Sequence, residues 1–127
     1  FMTMPSPLRF IPLLVLALST ASATYAAPLS GPEREATIQY VVGLRNRDGG
    51  YRNTLAPGPS TVGATSASLR ALKYLGGRPD LRPLTFVNSC MKEDGGIADT
   101  PQVAPTVRST AVGLMALVEL QAALKFG

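Results

Sequence analysis

The chain has 127 residues, 46% of them apolar and 6% aromatic, with a single cysteine and no histidine. Twelve Lys and Arg face eight Asp and Glu without runs of like sign, so the formal charge of +4 favours solubility and marks no nucleic-acid surface. The missing histidine removes the commonest general base and metal ligand, and a lone thiol forms no internal disulfide.

In chain order, a short segment with Arg9 precedes the apolar run Ile11 to Leu18, and small residues follow at Ala21-Ser22-Ala23 and Thr24-Tyr25-Ala26. This order predicts a signal peptide over residues 1–26, because a membrane span needs about 20 apolar residues and this run is shorter. The expected location is exported, periplasmic or extracellular. The alternative is an anchor left uncleaved, and membrane contact is expected through this segment only.

The first helix is predicted over 31–46. Ser30 with Glu33 three positions on forms a capping box, Pro32 suits a first turn, and Ile38, Val41 and Leu44 recur on one face. Asp48-Gly49-Gly50 stops it, because paired glycines reverse the chain and the aspartate accepts backbone N–H bonds just ahead. A loop with Pro57, Gly58 and Pro59 leads to a second helix from Ser60 or Thr61 to Leu75, closed by Gly76-Gly77. A third helix is predicted from Pro83 to Lys92, followed by Asp94-Gly95-Gly96. Cys90 falls on the apolar face of this helix and reads as a core residue. The fourth helix, Thr106 to Leu124, is apolar around most of its circumference and needs neighbours on more than one side.

The elements repeat. Arg47-Asp48-Gly49-Gly50-Tyr51 returns as Glu93-Asp94-Gly95-Gly96-Ile97 after 46 positions, with Tyr40-Val41 matching Phe86-Val87 and Leu44 matching Cys90. Thr65, Leu69, Ala71, Leu72 and Leu75 match Thr110, Leu114, Ala116, Leu117 and Leu120 after 45. The expected fold is all-α: two helix-hairpin repeats, about 31–77 and 78–124, within residues 27–127. Asp48, Gly49, Gly50, Asp94, Gly95 and Gly96 are the turn motif, and repetition argues that both aspartates build the turn. Stacked repeats generally need about three units to be stable. The chain is therefore expected to be truncated at its C-terminus, the alternative being a small helical domain that dimerises.

The apolar helix, Asp-Gly-Gly turn and Thr-to-Ala-Leu-x-x-Leu helix resemble the repeat of prenyltransferases and squalene cyclases. The second copy is most similar to the β subunits of protein prenyltransferases, the Rab geranylgeranyl transferase type among them. The resemblance covers Ile38 to Leu120. It implies a slice of an α/α toroid, an apolar or isoprenoid ligand, and the remaining repeats, or a second copy, as partners. In that family zinc is bound by Asp, Cys and His. Here Asn88 stands two residues before Cys90 where the family has aspartate, and no Asp-x-Asp-Asp motif occurs. No catalytic, cofactor or metal residue is therefore carried over, and zinc is expected only with ligands further downstream. Arg108, at the mouth of the fourth helix, is the candidate contact for an anionic group, the other reading being a solvated loop arginine.

Three functions follow: an exported bacterial toroid segment that binds or scaffolds, the N-terminal part of an active transferase or cyclase, and a small non-catalytic dimerising module. The sequence leaves open whether the chain is an enzyme.

Overall fold

The computed structural model describes residues 29–77 and 80–126; the signal peptide expected over 1–26 lies outside them. Four helices follow in order: α1 (Gly31–Gly43), α2 (Val62–Tyr74), α3 (Arg82–Ser89) and α4 (Val107–Phe126). Among the described residues there is no strand, only the isolated bridge pairings Arg45–Tyr51, Tyr51–Thr61 and Met91–Ile97. The protein is all-α. Its contacts divide it into two units that meet between Arg34 and Glu35.

In the first unit the described residues are the start of α1. The Glu33 N–H donates to Ser30 Oγ at 3.2 Å, and the Ser30 N–H donates to Glu33 Oε2 at 3.3 Å. Two of the first-turn donors that a helix leaves unpaired are satisfied in this way.

In the second unit, α1 and α3 end earlier than apolar periodicity predicts, at Gly43 and Ser89 rather than 46 and 92. The cause is the hairpin that follows each. After α1, Leu44 and Arg45 close with i→i+3 bonds, and then Asn46 N–H bonds Gly50 O at 2.8 Å and Arg52 N–H bonds Leu44 O at 2.9 Å. After α3 the same ladder forms, with Lys92 N–H on Gly96 O and Ala98 N–H on Cys90 O, both at 2.9 Å. The cross-hairpin bonds claim backbone groups that a longer helix would have used.

Thr61 caps α2, its Oγ1 accepting the Ala64 N–H at 3.0 Å from an extended backbone. The helix ends in a Schellman motif: Gly77 N–H bonds Leu72 O at 2.8 Å and Gly76 N–H bonds Lys73 O at 3.1 Å. At α4, Ser109 N–H donates to Thr106 Oγ1 at 3.0 Å and Thr106 N–H donates to Ser109 Oγ at 2.9 Å.

The core lies on both sides of α2. Val41, Leu44 and Tyr51 pack against Ala64 and Leu72 on one side. On the other, Val62 and Leu69 meet Phe86, Val87, Cys90, Ile97, Ala116 and Leu120. The α2–α4 contact is the largest between helices, and α3–α4 is the next. Burying one Leu or Phe side chain stabilises by about 1.5–3 kcal/mol, so the second cluster is what fastens the second repeat to the first. The α4 face that points the other way, with Leu114, Met115, Val118 and Leu124, is exposed.

Candidate functional site

The two Asp-Gly-Gly turns have the same bonds. Asp48 Oδ1 accepts the Gly50 N–H, and Asp94 Oδ1 accepts the Gly96 N–H, each at 2.9 Å. Gly49 has φ +90° and Gly95 φ +89°. An L side chain is strained there, which is why each turn carries glycine. The Tyr51 N–H donates to Thr65 Oγ1, and the Ile97 N–H donates to Thr110 Oγ1, each at 3.0 Å. Each repeat thus ties its turn to its own second helix through one threonine.

The turns differ in what lies over them. The first faces a cleft of about 450 Å³ lined by Asn46, Arg47, Asp48, Ser60, Phe86 and Gln102 among others. Within it, Asn46 Nδ2 donates to Ser60 Oγ at 2.9 Å, and Ser60 Oγ donates to Asp48 Oδ1 at 2.7 Å. Both hydrogen-bonding roles of the Ser60 hydroxyl are therefore filled by the loop, and Asp48 spends one oxygen on two donors. Arg52 holds the loop from outside, bonding Asn46 Oδ1 at 3.1 Å and the carbonyls of Leu55 and Ala56, both at 3.1 Å. In the second repeat Lys92 does the corresponding work, its Nζ donating to Pro101 O at 2.7 Å. Sequence reasoning missed the Asn46–Ser60–Asp48 chain; its one advance sign is that Ser60 follows Asp48 across a loop rich in proline.

Asp99 has a role that joins the repeats. Its Oδ1 accepts the Gly63 N–H at 3.0 Å, and its carbonyl accepts the Val62 N–H at 2.8 Å. The second repeat therefore satisfies the first-turn donors of α2 in the first.

Arg108 is exposed in the first turn of α4, away from the cleft lining. Asp48 and Asp94 sit each in its own turn. Asp80 pairs with Arg45 and Arg82. Burial alone would raise its pKa, but hydrogen bonds from the Arg82 side chain and backbone and the charges of Arg45 and Arg82 outweigh it, holding the carboxyl below its ordinary range.

Cys90 is a free, fully buried thiol in the larger apolar cluster. Burial pushes its pKa up, against a smaller opposing contribution from Ser89, so it stays a thiol at neutral pH and is a poor nucleophile. Among the described residues no three Cys, Asp or Glu side chains gather as a metal ligand set. With Cys90 sealed in the core and Asn88 exposed, the residues present do not fit a zinc site.

The cleft mixes polar side chains with Pro59, Phe86 and Pro101, and its Asn46, Ser60 and Asp48 side chains bond one another. Its chemistry is that of a structural knot, with Arg47 as an exposed cation beside it. No family model, characterised protein sequence or solved structure matches the chain.

Proposed function

We propose that the chain is a non-catalytic repeat module of the prenyltransferase and squalene-cyclase type, two α/α hairpins of a toroid, that works by presenting apolar helix faces to a partner. One observation carries this reading: the two Asp-Gly-Gly turns repeat bond for bond, and both aspartates are engaged as backbone acceptors. A carboxylate that builds the same turn in every unit is framework, whereas catalytic groups break the repeat. The mutually bonded Asn46, Ser60 and Asp48 side chains in the cleft and the buried thiol support the same view. Export by a signal peptide belongs to the reading, as does an isoprenoid-like or other apolar ligand held between further units.

The test is a prenyl-transfer assay. The purified chain is incubated with geranylgeranyl diphosphate, a cysteine peptide and zinc, and the peptide is weighed by mass spectrometry. An unchanged peptide mass is expected. A peptide carrying the prenyl group would overturn the module reading in favour of a working transferase.

A further inference from the structure

The two repeats are alike in sequence and turn geometry, yet one is covered and the other is not. On α2 the stripe Val62, Ser66, Leu69 is buried by the second repeat. The equivalent stripe of α4 is Val107, Ala111, Leu114, and it is open: Val107 is 89% exposed where Val62 is 0%, and Leu114 is 54% exposed where Leu69 is 0%. The stripe continues through exposed Val118, whose counterpart on α2 is Lys73.

The turns tell the same story. A Cβ on Gly49 would lie 2.2 Å from Arg82 O, and one on Gly50 2.7 Å from the Phe86 ring, so the first turn lies beneath the start of α3. A Cβ on Gly95 would meet nothing within 4 Å, and one on Gly96 would lie nearest to Pro105, at 2.6 Å, in its own repeat. The first-turn amides of α2, on Val62 and Gly63, are bonded by Asp99; the corresponding residues of α4, Val107 and Arg108, are exposed.

The structure also shows what kind of surface covers such a stripe, and the chain carries a second version of it. Where the second repeat uses Phe86, the first has Tyr40, 48% exposed against 3%. Where it uses Asp99, the first has exposed Asn53, a side chain with the same acceptor. Where Glu119 pairs with Lys73 at 3.5 Å, the first repeat has exposed Tyr74, which would meet apolar Val118. In that arrangement the place of the ion pair would be taken by an aromatic–aliphatic contact, Tyr74 against Val118.

We infer that the open face of α4 is a docking surface for the first repeat of a second copy of this chain, head to tail, in the geometry by which the second repeat covers α2. This rests on reading the two hairpins as equivalent stackable units. Such an interface is heterologous, so it extends copy by copy into a ring or filament.

Two measurements test it. In sedimentation velocity, the 127-residue chain should associate with rising concentration, and Leu114→Glu, at an exposed position, should keep the same thermal melt and weaken association at least about tenfold. In disulfide trapping, an Asn53→Cys chain mixed with a differently tagged Arg108→Cys chain should cross-link on oxidation, since these positions correspond to the bonded pair Asp99 and Gly63; buried Cys90 stays out of the reaction. A monomer at all concentrations overturns the inference. So does a symmetric dimer that cross-links through Leu114→Cys on both chains but not between positions 53 and 108. Flotation of monomeric chain with phosphatidylcholine vesicles also overturns it. α4 contains a stretch, Val107–Leu124, long and apolar enough to cross a bilayer, and that result would give its open face to lipid. Prenyl transfer would sink the module reading and leave this surface standing, whereas a monomeric chain would do the reverse.

Discussion

Gly49→Ala and Gly95→Ala form a matched pair that separates what the turn needs from what the neighbouring repeat needs. Both glycines sit at nearly the same positive φ, +90° and +89°. An alanine at either site meets the same left-handed penalty of about 1–2 kcal/mol, and the same small gain from a stiffer unfolded chain. These terms cancel between the two variants. What remains is space. The new Cβ at position 49 would lie 2.2 Å from Arg82 O and 2.8 Å from Arg82 C, both backbone atoms that no rotamer change can move. The start of α3 must shift, and it takes along Asp80, which is bonded to Arg82 and paired with Arg45. Overpacking of this kind costs about 1–3 kcal/mol. At position 95 nothing lies within 4 Å in the same chain. Urea unfolding followed by far-UV circular dichroism, at dilution where the chain is monomeric, should show Gly49→Ala less stable than Gly95→Ala by about 1–3 kcal/mol with the m value unchanged. Equal losses, or a larger loss at position 95, would refute the packing of the second repeat over the first turn.

Thr65→Val keeps the shape but strands the buried Tyr51 N–H, bonded at 3.0 Å, and leaves Thr61 O with the Thr65 N–H as its remaining donor; a loss of about 1–3 kcal/mol in the same urea titration is expected. For Asp80, the folded pKa lies below the unfolded one, so its stabilisation is present above the unfolded value and lost as pH falls through the folded value. The wild-type melt should therefore weaken below about pH 4, and Asp80→Asn should remove that component, which for a part-exposed pair is under about 1 kcal/mol. Cys90 should resist a thiol-specific colorimetric reagent in the native protein at pH 8 and react fully in guanidinium, as its burial and raised pKa require. Fast native labelling would show that the larger core cluster opens readily.

The helical class was readable before any coordinates because it is written in local terms. The spacing of Ile38, Val41 and Leu44, the Ser30–Glu33 cap and the Gly76-Gly77 stop each depend on residues within one or two turns of one another. The helix ends at Gly43 and Ser89 were not readable, because 44–46 and 90–92 also satisfy a helical pattern. There the hairpin bonds from Arg52 and Ala98 decide. The Asn46–Ser60–Asp48 chain escaped for a similar reason: its members converge only once the proline-rich loop has folded back.

By itself the sequence determined that this chain is helical, that its turn motif recurs, and to within a residue or two where each helix begins, since a residue's φ/ψ preference and its capping bonds are settled by its near neighbours. Tertiary structure alone decided that Asp99 bonds the amides of a helix 36 positions earlier, and that two similar stripes have opposite fates, α2 buried and α4 open. Two stripes with the same apolar spacing have the same tendency to be covered. Which one is covered depends on where the rest of the chain lies in space, and periodicity carries no record of that.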